Sequence, residues 1–264
     1  MYAVSKKTLI IANWKMNLNI QEASLFVHKL NNQISNHRNV ELVLAPTMLA
    51  LPTLSLQVDR KKFSLAAQNL YHQDEGPFTG EVSAHQLRGL VQYALVGHSE
   101  RRHKFHENDK DIRAKVQAVV RNHIVPILCV GETATEKADG ETSGVLHDQI
   151  TGGLANLTAE DARDIVIAYE PVWAISGGKN FADHKTPTPT EIKRAITTIR
   201  KQVEHLFGKE VAESVRVLYG GSSNASNAAS LLSVADLDGL LVGGASLNVH
   251  EFSDIIAAAH ERTT

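Results

Sequence analysis

Short apolar segments rich in β-branched residues recur along the chain, and each is followed by a longer segment with apolar positions three or four residues apart. This alternation predicts eight strand–helix units. The predicted strands are residues 9–12, 40–45, 63–68, 93–97, 125–130, 165–170, 215–219 and 239–242. Apolar stripes at helical spacing lie in residues 20–34, 111–120, 144–157, 190–207 and 252–260. Two helix starts carry capping residues, Ser83 and Thr190, the latter directly after Pro189.

Strands that are apolar throughout are typical of a parallel sheet covered on both faces. Eight such units predict an α/β protein with a closed (β/α)8 barrel. No linker or change in composition divides the chain, so we expect one domain over residues 1–264. An open, doubly wound sheet remains the alternative, because hydrophobic periodicity does not separate the two folds. The longest irregular stretch, residues 171–189, is typical of a functional loop.

Composition narrows the class of protein. The 264 residues suit a barrel, and 27 basic against 29 acidic residues give a net charge of −2. This balance, with no basic run, argues against nucleic-acid and anionic-membrane partners. No apolar stretch approaches the roughly 18 residues of a membrane span, and the polar start is unlike a secretory leader, so we expect a cytoplasmic protein. The single cysteine, Cys129, excludes an intrachain disulfide and a cysteine-only metal site.

Candidate chemistry collects at the predicted strand ends, where parallel α/β folds carry their reactive residues. Lys15, His98 and Glu170 follow or end the first, fourth and sixth strands. Glycine pairs at 220–221 and 243–244 follow the last two strands, and glycine lets backbone N–H groups approach a phosphate closely. Each feature alone is better explained as a surface charge, a structural residue or a turn. Their shared position predicts a proton-transfer site for an anionic substrate.

Motifs of other phosphate-binding and metal-dependent proteins do not occur in the sequence. It contains neither the G-x-x-x-x-G-K-[ST] loop of nucleotide-binding proteins nor a G-x-G-x-x-G turn after a strand. The H-E-x-x-H pattern of zinc hydrolases is also missing. These observations weaken the nucleotide, dinucleotide and zinc-hydrolase interpretations.

Seven motifs resemble the signatures of the triosephosphate isomerase family, in the family's order and over almost the whole chain. They are NWKMN at 13–17, GPFTGE at 76–81, VGHSERR at 96–102, CVGE at 129–132, AYEPVWAI at 168–175, YGGS at 219–222 and LVGGAS at 241–246. The resemblance implies a TIM barrel that isomerises dihydroxyacetone phosphate and D-glyceraldehyde 3-phosphate through an enediol(ate), in glycolysis and gluconeogenesis. It implies neither a cofactor nor a metal.

The resemblance also implies a role for each candidate catalytic residue. Glu170 would be the base that moves the carbon-bound proton, and His98 a neutral electrophile that polarises the carbonyl. Lys15 would supply positive charge, with Asn13 as a nearby donor and Glu100 orienting the lysine.

Further residues follow from the same resemblance. Together with Asn13 and Lys15, the substrate-binding set would include Ser176, Ser222, Gly243 and Gly244. A lid would cover the site and consist of Pro171, Val172, Trp173, Ala174, Ile175, Ser176, Gly177, Gly178 and Lys179. A homodimer is implied through the 76–81 loop, with Thr79 reaching the partner subunit's site.

Three departures from the family pattern leave alternatives open. The lid tip reads ISGGK at 175–179 where the family usually has IGTGK, and the run at 180–189 is longer and more polar than usual. His106 stands where a glycine is common, which we expect to affect packing. The altered lid motivates a second hypothesis, a paralogous ketotetrose-phosphate (erythrulose-phosphate) isomerase. A catalytically silent barrel ranks last, because Lys15, His98 and Glu170 are all present.

Overall fold

The computed structural model describes residues 6–34, 39–175 and 186–262. Eight parallel strands form a closed barrel in chain order, and β1 pairs with β8 as well as with β2. The strands are β1 Thr8–Asn13, β2 Val40–Ala45, β3 Phe63–Ala67, β4 Tyr93–Val96, β5 Val125–Val130, β6 Val166–Tyr169, β7 Arg216–Tyr219 and β8 Gly239–Val242. The (β/α)8 prediction is therefore confirmed, and the closure between β1 and β8 shows that the open-sheet alternative is wrong.

Helices surround the barrel. Within the described ranges they are α1 Ile20–Gln33, α2 Leu51–Gln57, α3 Ala84–Leu87, α4 Ser99–Lys104, α5 Asp109–Arg121, α6 Ala134–Ala138, α7 Thr142–Leu154, α8 Ala159–Ala162, α9 Pro189–Phe207, α10 Lys209–Ser214, α11 Ala228–Leu232 and α12 Val249–Glu261. None of the helices in this part of the chain is both long and apolar enough to cross a bilayer.

The core has two layers because successive residues of a strand point to opposite faces of the sheet. One buried set, which includes Leu9, Ile11 and Leu95, fills the inside of the barrel. The other set, which includes Ile10 and Leu44, packs outward against the apolar stripes of the helices. Both faces of the sheet are therefore lined mainly by apolar residues, and this pattern made the strands predictable.

The amino end of the barrel is closed by a polar cluster. Arg216 Nη1 lies 2.7 Å from Glu41 Oε2, and the Tyr93 hydroxyl donates to Glu41 Oε1 at 2.5 Å. Burial raises the pKa of Tyr93 to about 12, so its hydroxyl keeps its proton and remains a donor. With this end filled, a substrate pocket belongs at the carboxyl end.

Two local predictions change in the structure. Helix α9 is capped by Thr188 and not by Thr190: the Thr188 hydroxyl accepts from the Glu191 N–H, and Pro189 takes the first helical position. Proline suits that position because its missing N–H would have no partner there. His106 adopts a φ of 54°, a region that favours glycine, so the residue affects the backbone as well as the packing. The predicted cap Ser83 is confirmed at α3.

Candidate active site

A pocket opens at the carboxyl ends of the strands, and loops from across the barrel meet there. Its lining residues are Asn13, Lys15, His98, Glu170, Ile175, Gly220, Gly221, Ser222, Ser223, Leu241, Gly243 and Gly244. Seven of the residues predicted from the sequence to act on or bind the substrate are in this set, and an eighth, Glu100, contacts Lys15 from behind the pocket wall. Ser176, Gly177, Gly178 and Lys179 lie outside the described residues.

Lys15 is held in an unusual backbone conformation beside the pocket. Its φ is 52°, its N–H donates to Asn13 Oδ1 at 3.1 Å, and its carbonyl accepts from Gln68 Nε2 at 2.9 Å. Its ammonium lies 3.0 Å from Glu100 Oε1. Burial by itself would raise the pKa of Glu100, but the Lys15 ammonium outweighs it and holds that pKa below its ordinary value. The carboxylate therefore stays charged and keeps the lysine in place.

His98 ends the loop after β4 and caps α4. Its Nδ1 accepts a hydrogen bond from the Glu100 backbone N–H at 3.2 Å. Because a backbone N–H can only donate, Nδ1 carries no proton, and the ring is a neutral imidazole with its proton on Nε2. The Nε2–H faces the carboxylate of Glu170, with Nε2 3.1 Å from Oε1. The ring can thus donate one proton into the pocket without being a cation.

Glu170 directly follows β6, and its side chain is 2% exposed. Oε2 accepts from the Ser99 N–H at 3.0 Å, and Oε1 faces His98. A Cβ on Gly220 would lie 2.8 Å from Glu170 Cγ, so a glycine is needed there to leave room for this side chain. The carboxylate therefore sits at the pocket wall with one hydrogen bond from Ser99 and a close contact with His98, and it must give these up to reach a bound ligand.

The glycine turn after β8 forms another part of the pocket wall. The Gly243 carbonyl accepts from both the N–H and the hydroxyl of Ser246, at 2.9 and 2.6 Å, which fixes the turn. A Cβ on Gly243 would lie 3.6 Å from Lys15 Cε, so the aliphatic part of the Lys15 side chain lies close to this turn. Ser222, from the turn after β7, donates its N–H to the Ala174 carbonyl at 3.0 Å.

The first part of the predicted lid is an ordered 3₁₀ turn, Val172–Ala174. The buried carboxyl of Glu132 holds it: the indole N–H of Trp173 donates to Glu132 Oε1 at 2.8 Å, and the Tyr169 hydroxyl donates to the same oxygen at 3.1 Å. The Val172 N–H donates to the Glu132 carbonyl at 2.9 Å. These contacts fix the backbone directly after Glu170.

Sequence reasoning missed several of these contributors. Gln68 directly follows β3 and was assigned only as the last residue of a strand, although the strand-end rule that found Lys15 applies to it equally. Glu132 lies in the CVGE motif after β5, but its contact with Trp173 spans 41 positions and has no local signal. The Ser99 N–H was missed because a backbone donor leaves no trace in side-chain patterns.

The loop at 76–81 is a surface turn. The Phe78 N–H donates to the Gly76 carbonyl, and the Phe78 ring packs on Tyr71 with centroids 4.5 Å apart. Thr79 is exposed at the tip. Beside the loop, a groove is lined by residues that include Met16, Met48 and Val82. Met16, the neighbour of Lys15, is 94% exposed.

Comparison with known proteins gives a consistent result. The sequence model of the family described as triosephosphate isomerase matches residues 8–259. A protein named triosephosphate isomerase from Chloroherpeton thalassium is 40% identical over 256 residues, which are 96% of this chain and 99% of the relative. Proteins of the same name from Clostridium tetani and Endomicrobium trichonymphae are each 40% identical over 252 residues, 95% of this chain and 96% and 98% of the relatives. This chain belongs to the triosephosphate isomerase family.

Proposed function

We propose that this chain interconverts dihydroxyacetone phosphate and D-glyceraldehyde 3-phosphate through an enediol(ate), the isomerisation used in glycolysis and gluconeogenesis. The observation that carries the proposal is the meeting of a carboxylate, a neutral imidazole and an ammonium in one pocket, from Glu170, His98 and Lys15. Family membership supports the same reaction.

Glu170 is the base in this proposal. It removes the proton from the carbon beside the carbonyl and returns it to the neighbouring carbon, so the atoms balance without a cofactor. To reach that carbon, the carboxylate gives up its hydrogen bond from Ser99 and its contact with His98. A base must stand within hydrogen-bond reach of the proton it abstracts, and a side chain at the pocket wall meets that requirement.

Stabilisation of the enediolate falls to His98, Lys15 and Asn13. The Nε2–H beside Glu170 donates to the substrate carbonyl, and the same ring passes protons between the two substrate oxygens. Fixed donors in a pocket with little water are worth several kcal/mol each in a transition state. Glu100 is outside the pocket lining, and its part is to orient the Lys15 ammonium.

The phosphate group is assigned to the turns after β7 and β8. The Gly243 and Gly244 turn and Ser222 offer backbone N–H groups, and the Lys15 ammonium adds positive charge above the turn. The Ser222 N–H first has to leave the Ala174 carbonyl, which couples phosphate binding to the turn after Glu170. Ser176, expected to contribute a further N–H, belongs to the part of the chain that the structure does not describe.

The experiment is a comparison of kcat/KM for the two triose phosphates and for erythrulose 4-phosphate. The relatives are named for the triose phosphate, so we expect the triose to be preferred. Glu170→Gln, purified in the same way, sets the background from isomerase of the expression host. A higher kcat/KM for the tetrose phosphate would overturn the substrate assignment.

We also infer a homodimer formed through the 76–81 loop. The groove beside this loop is lined by half-buried Met48 and Val82 and by Met16, which is 94% exposed next to Lys15, and exposed apolar surface of this kind favours protein contacts. The occupant would be the same loop of a second copy, with Thr79 at its tip. Because Met16 neighbours Lys15, association would also steady the site.

A further inference from the structure

One lysine contacts both ends of the segment that leaves the barrel after Glu170 and returns at α9. Lys137 lies in α6, where its N–H donates to the Thr133 carbonyl at 3.0 Å. Its Nζ lies 3.3 Å from the centroid of the Trp173 ring and 2.7 Å from Glu191 Oε1. Trp173 comes three residues after Glu170, and Glu191 is the third residue of α9.

At the first end, the Trp173 ring is fixed on two sides. Its indole N–H donates to Glu132 Oε1 at 2.8 Å, and the Lys137 ammonium lies over its face. Attraction between a cation and the face of an indole ring resists rotation of that ring. Only Pro171 and one residue of the 3₁₀ turn separate Trp173 from Glu170, so the ring position bears on the Glu170 backbone.

At the returning end, Glu191 fixes the first turn of α9. Its Oε2 accepts from the N–H and the hydroxyl of Thr188, at 2.7 and 2.9 Å. The hydrogen bond from Lys137 is the main cause that lowers the pKa of Glu191 to about 2, and the Thr188 backbone adds to it. The carboxylate is therefore charged throughout the neutral range, where it can hold the Lys137 ammonium.

We propose that Lys137 is a positioning residue for the isomerisation, whose ammonium ties the turn after Glu170 to the first turn of α9. It does not line the pocket, so it acts through Trp173 and the Glu170 backbone. The inference rests on the proposed function, because it concerns the placement of Glu170. Loss of Lys137 should lower kcat more than it raises KM, since Lys137 reaches the phosphate site only through the Ala174–Ser222 contact, whereas the glycine turn after β8 lies elsewhere.

Three variants test the proposal. Lys137→Met keeps a long side chain and removes the charge, whereas Lys137→Arg keeps a cation that can both stack on a ring and pair with a carboxylate. Lys209→Met is the matched control, since Lys209 is an exposed helical lysine paired with Glu213 at 3.7 Å. Steady-state kcat and KM, thermal unfolding and tryptophan emission are measured for each.

We expect Lys137→Met to lower kcat by about three- to thirty-fold. This range corresponds to the combined free energies of one cation–π contact and one surface ion pair. KM should rise by a smaller factor than kcat falls, because only the Ser222 part of the phosphate site contacts this turn. Arginine should restore most of kcat, and Lys209→Met should match the wild type. Tryptophan emission should shift in Lys137→Met only. Lys137 contacts Trp173, whereas the other tryptophan, Trp14, is fully buried and should be unaffected.

Two results would overturn this inference and leave the proposed function standing. The first is a wild-type kcat in Lys137→Met. The second is a loss of kcat that Lys137→Arg does not restore and that parallels a loss of thermal stability. A double-mutant cycle with Glu191→Gln adds a further check. Strictly additive effects of the two substitutions on kcat would show that Lys137 and Glu191 do not act together on Glu170. A wild-type protein without isomerase activity would overturn the proposed function and this inference with it.

Discussion

Lys15 occupies a conformation that side chains other than glycine seldom adopt. Its φ of 52° is held by hydrogen bonds from its N–H to Asn13 and from Gln68 to its carbonyl. Strained residues of this kind persist where the surrounding contacts over-determine them, and they cluster at functional sites. The strain here places the ammonium between Glu100 and the glycine turn after β8, which supports its proposed role.

Lys15→Ala should reduce kcat/KM by at least about a hundred-fold, because it removes a fixed charge from the transition state. It should also weaken binding of 2-phosphoglycolate, a mimic of the enediolate, because the ammonium no longer offsets the negative charge of Glu100 behind the pocket wall. Titration calorimetry and steady-state kinetics check the two effects, with circular dichroism to show that the fold is retained. Unaltered kinetics would remove Lys15 from the site.

Gly220→Ala tests the placement of Glu170 without touching its chemistry. The added Cβ would lie 2.8 Å from Glu170 Cγ, so the carboxylate has to move. A displacement of about 1 Å in a catalytic group can cost about a hundred-fold in rate, and we expect a fall in kcat of that order. Gly144→Ala is the control, since a Cβ there meets nothing within 4 Å. Wild-type kcat in Gly220→Ala would show that Glu170 is not confined as described.

The elements of the barrel were predictable because each strand is a short, mainly apolar run bounded by polar or turn-forming residues. All eight predicted strands agree with the structure to within one residue at each end. The start of α9 was misplaced by two residues because Thr188 and Thr190 flank Pro189 and both can cap a helix. Their capping chemistry alone does not separate them, but the preference of proline for the first helical position selects Thr188.

The contacts between elements were not predictable from local patterns. The Lys15–Glu100 pair was available only through family resemblance, and the Lys137 contacts with Trp173 and Glu191 gave no signal at all. Such contacts join residues 36 to 85 positions apart, and only the closed barrel brings them together. The strand-end rule therefore located the site, and the tertiary structure supplied its supporting residues.

Glu191→Gln should make the protein less stable at neutral pH, and the difference should disappear in acid. The folded-state pKa of Glu191, about 2, lies below its ordinary value of 4.5, so its stabilisation is complete above 4.5 and is lost as the pH falls towards 2. Glutamine can still occupy this position of a capping box, so the substitution isolates the charge. Because the site is partly exposed, we expect about 0.5 kcal/mol at pH 7.

Urea unfolding at pH 7, 4 and 2.5 measures this difference. The Glu191→Gln effect should also shrink in a Lys137→Met background, because Lys137 is the main cause of the lowered pKa. A difference between wild type and variant that stays constant across the three pH values would contradict the assignment.

At the scale of the whole molecule, the two ends of the barrel differ in kind. The amino end is filled by the Arg216, Glu41 and Tyr93 cluster, and the carboxyl end carries the pocket. The exposed methionine Met16 lies at the carboxyl end, one residue beyond Lys15. The proposed dimer would therefore bury apolar surface next to the pocket and not at the amino end of the barrel.

Met16→Glu should dissociate the proposed dimer. A charge buried at the centre of an interface costs at least about 2 kcal/mol, which raises the dissociation constant by about thirty-fold or more. Light scattering after size-exclusion chromatography measures the mass, and kcat/KM should fall as monomers form. Leu56→Glu is the control, since Leu56 is exposed on α2 and does not line the groove beside the 76–81 loop. A wild-type monomer with full activity would refute the assembly and its link to the site.

The central claim is that the Glu170 carboxylate transfers the proton, and the turnover of Glu170→Asp tests it most directly. The shorter side chain withdraws the carboxylate by about 1 Å or more, so kcat for triose phosphate should fall about a hundred-fold, with 2-phosphoglycolate still bound and the fold retained. A folded Glu170→Asp protein that turns over at the wild-type rate, well above the Glu170→Gln background, would contradict the account.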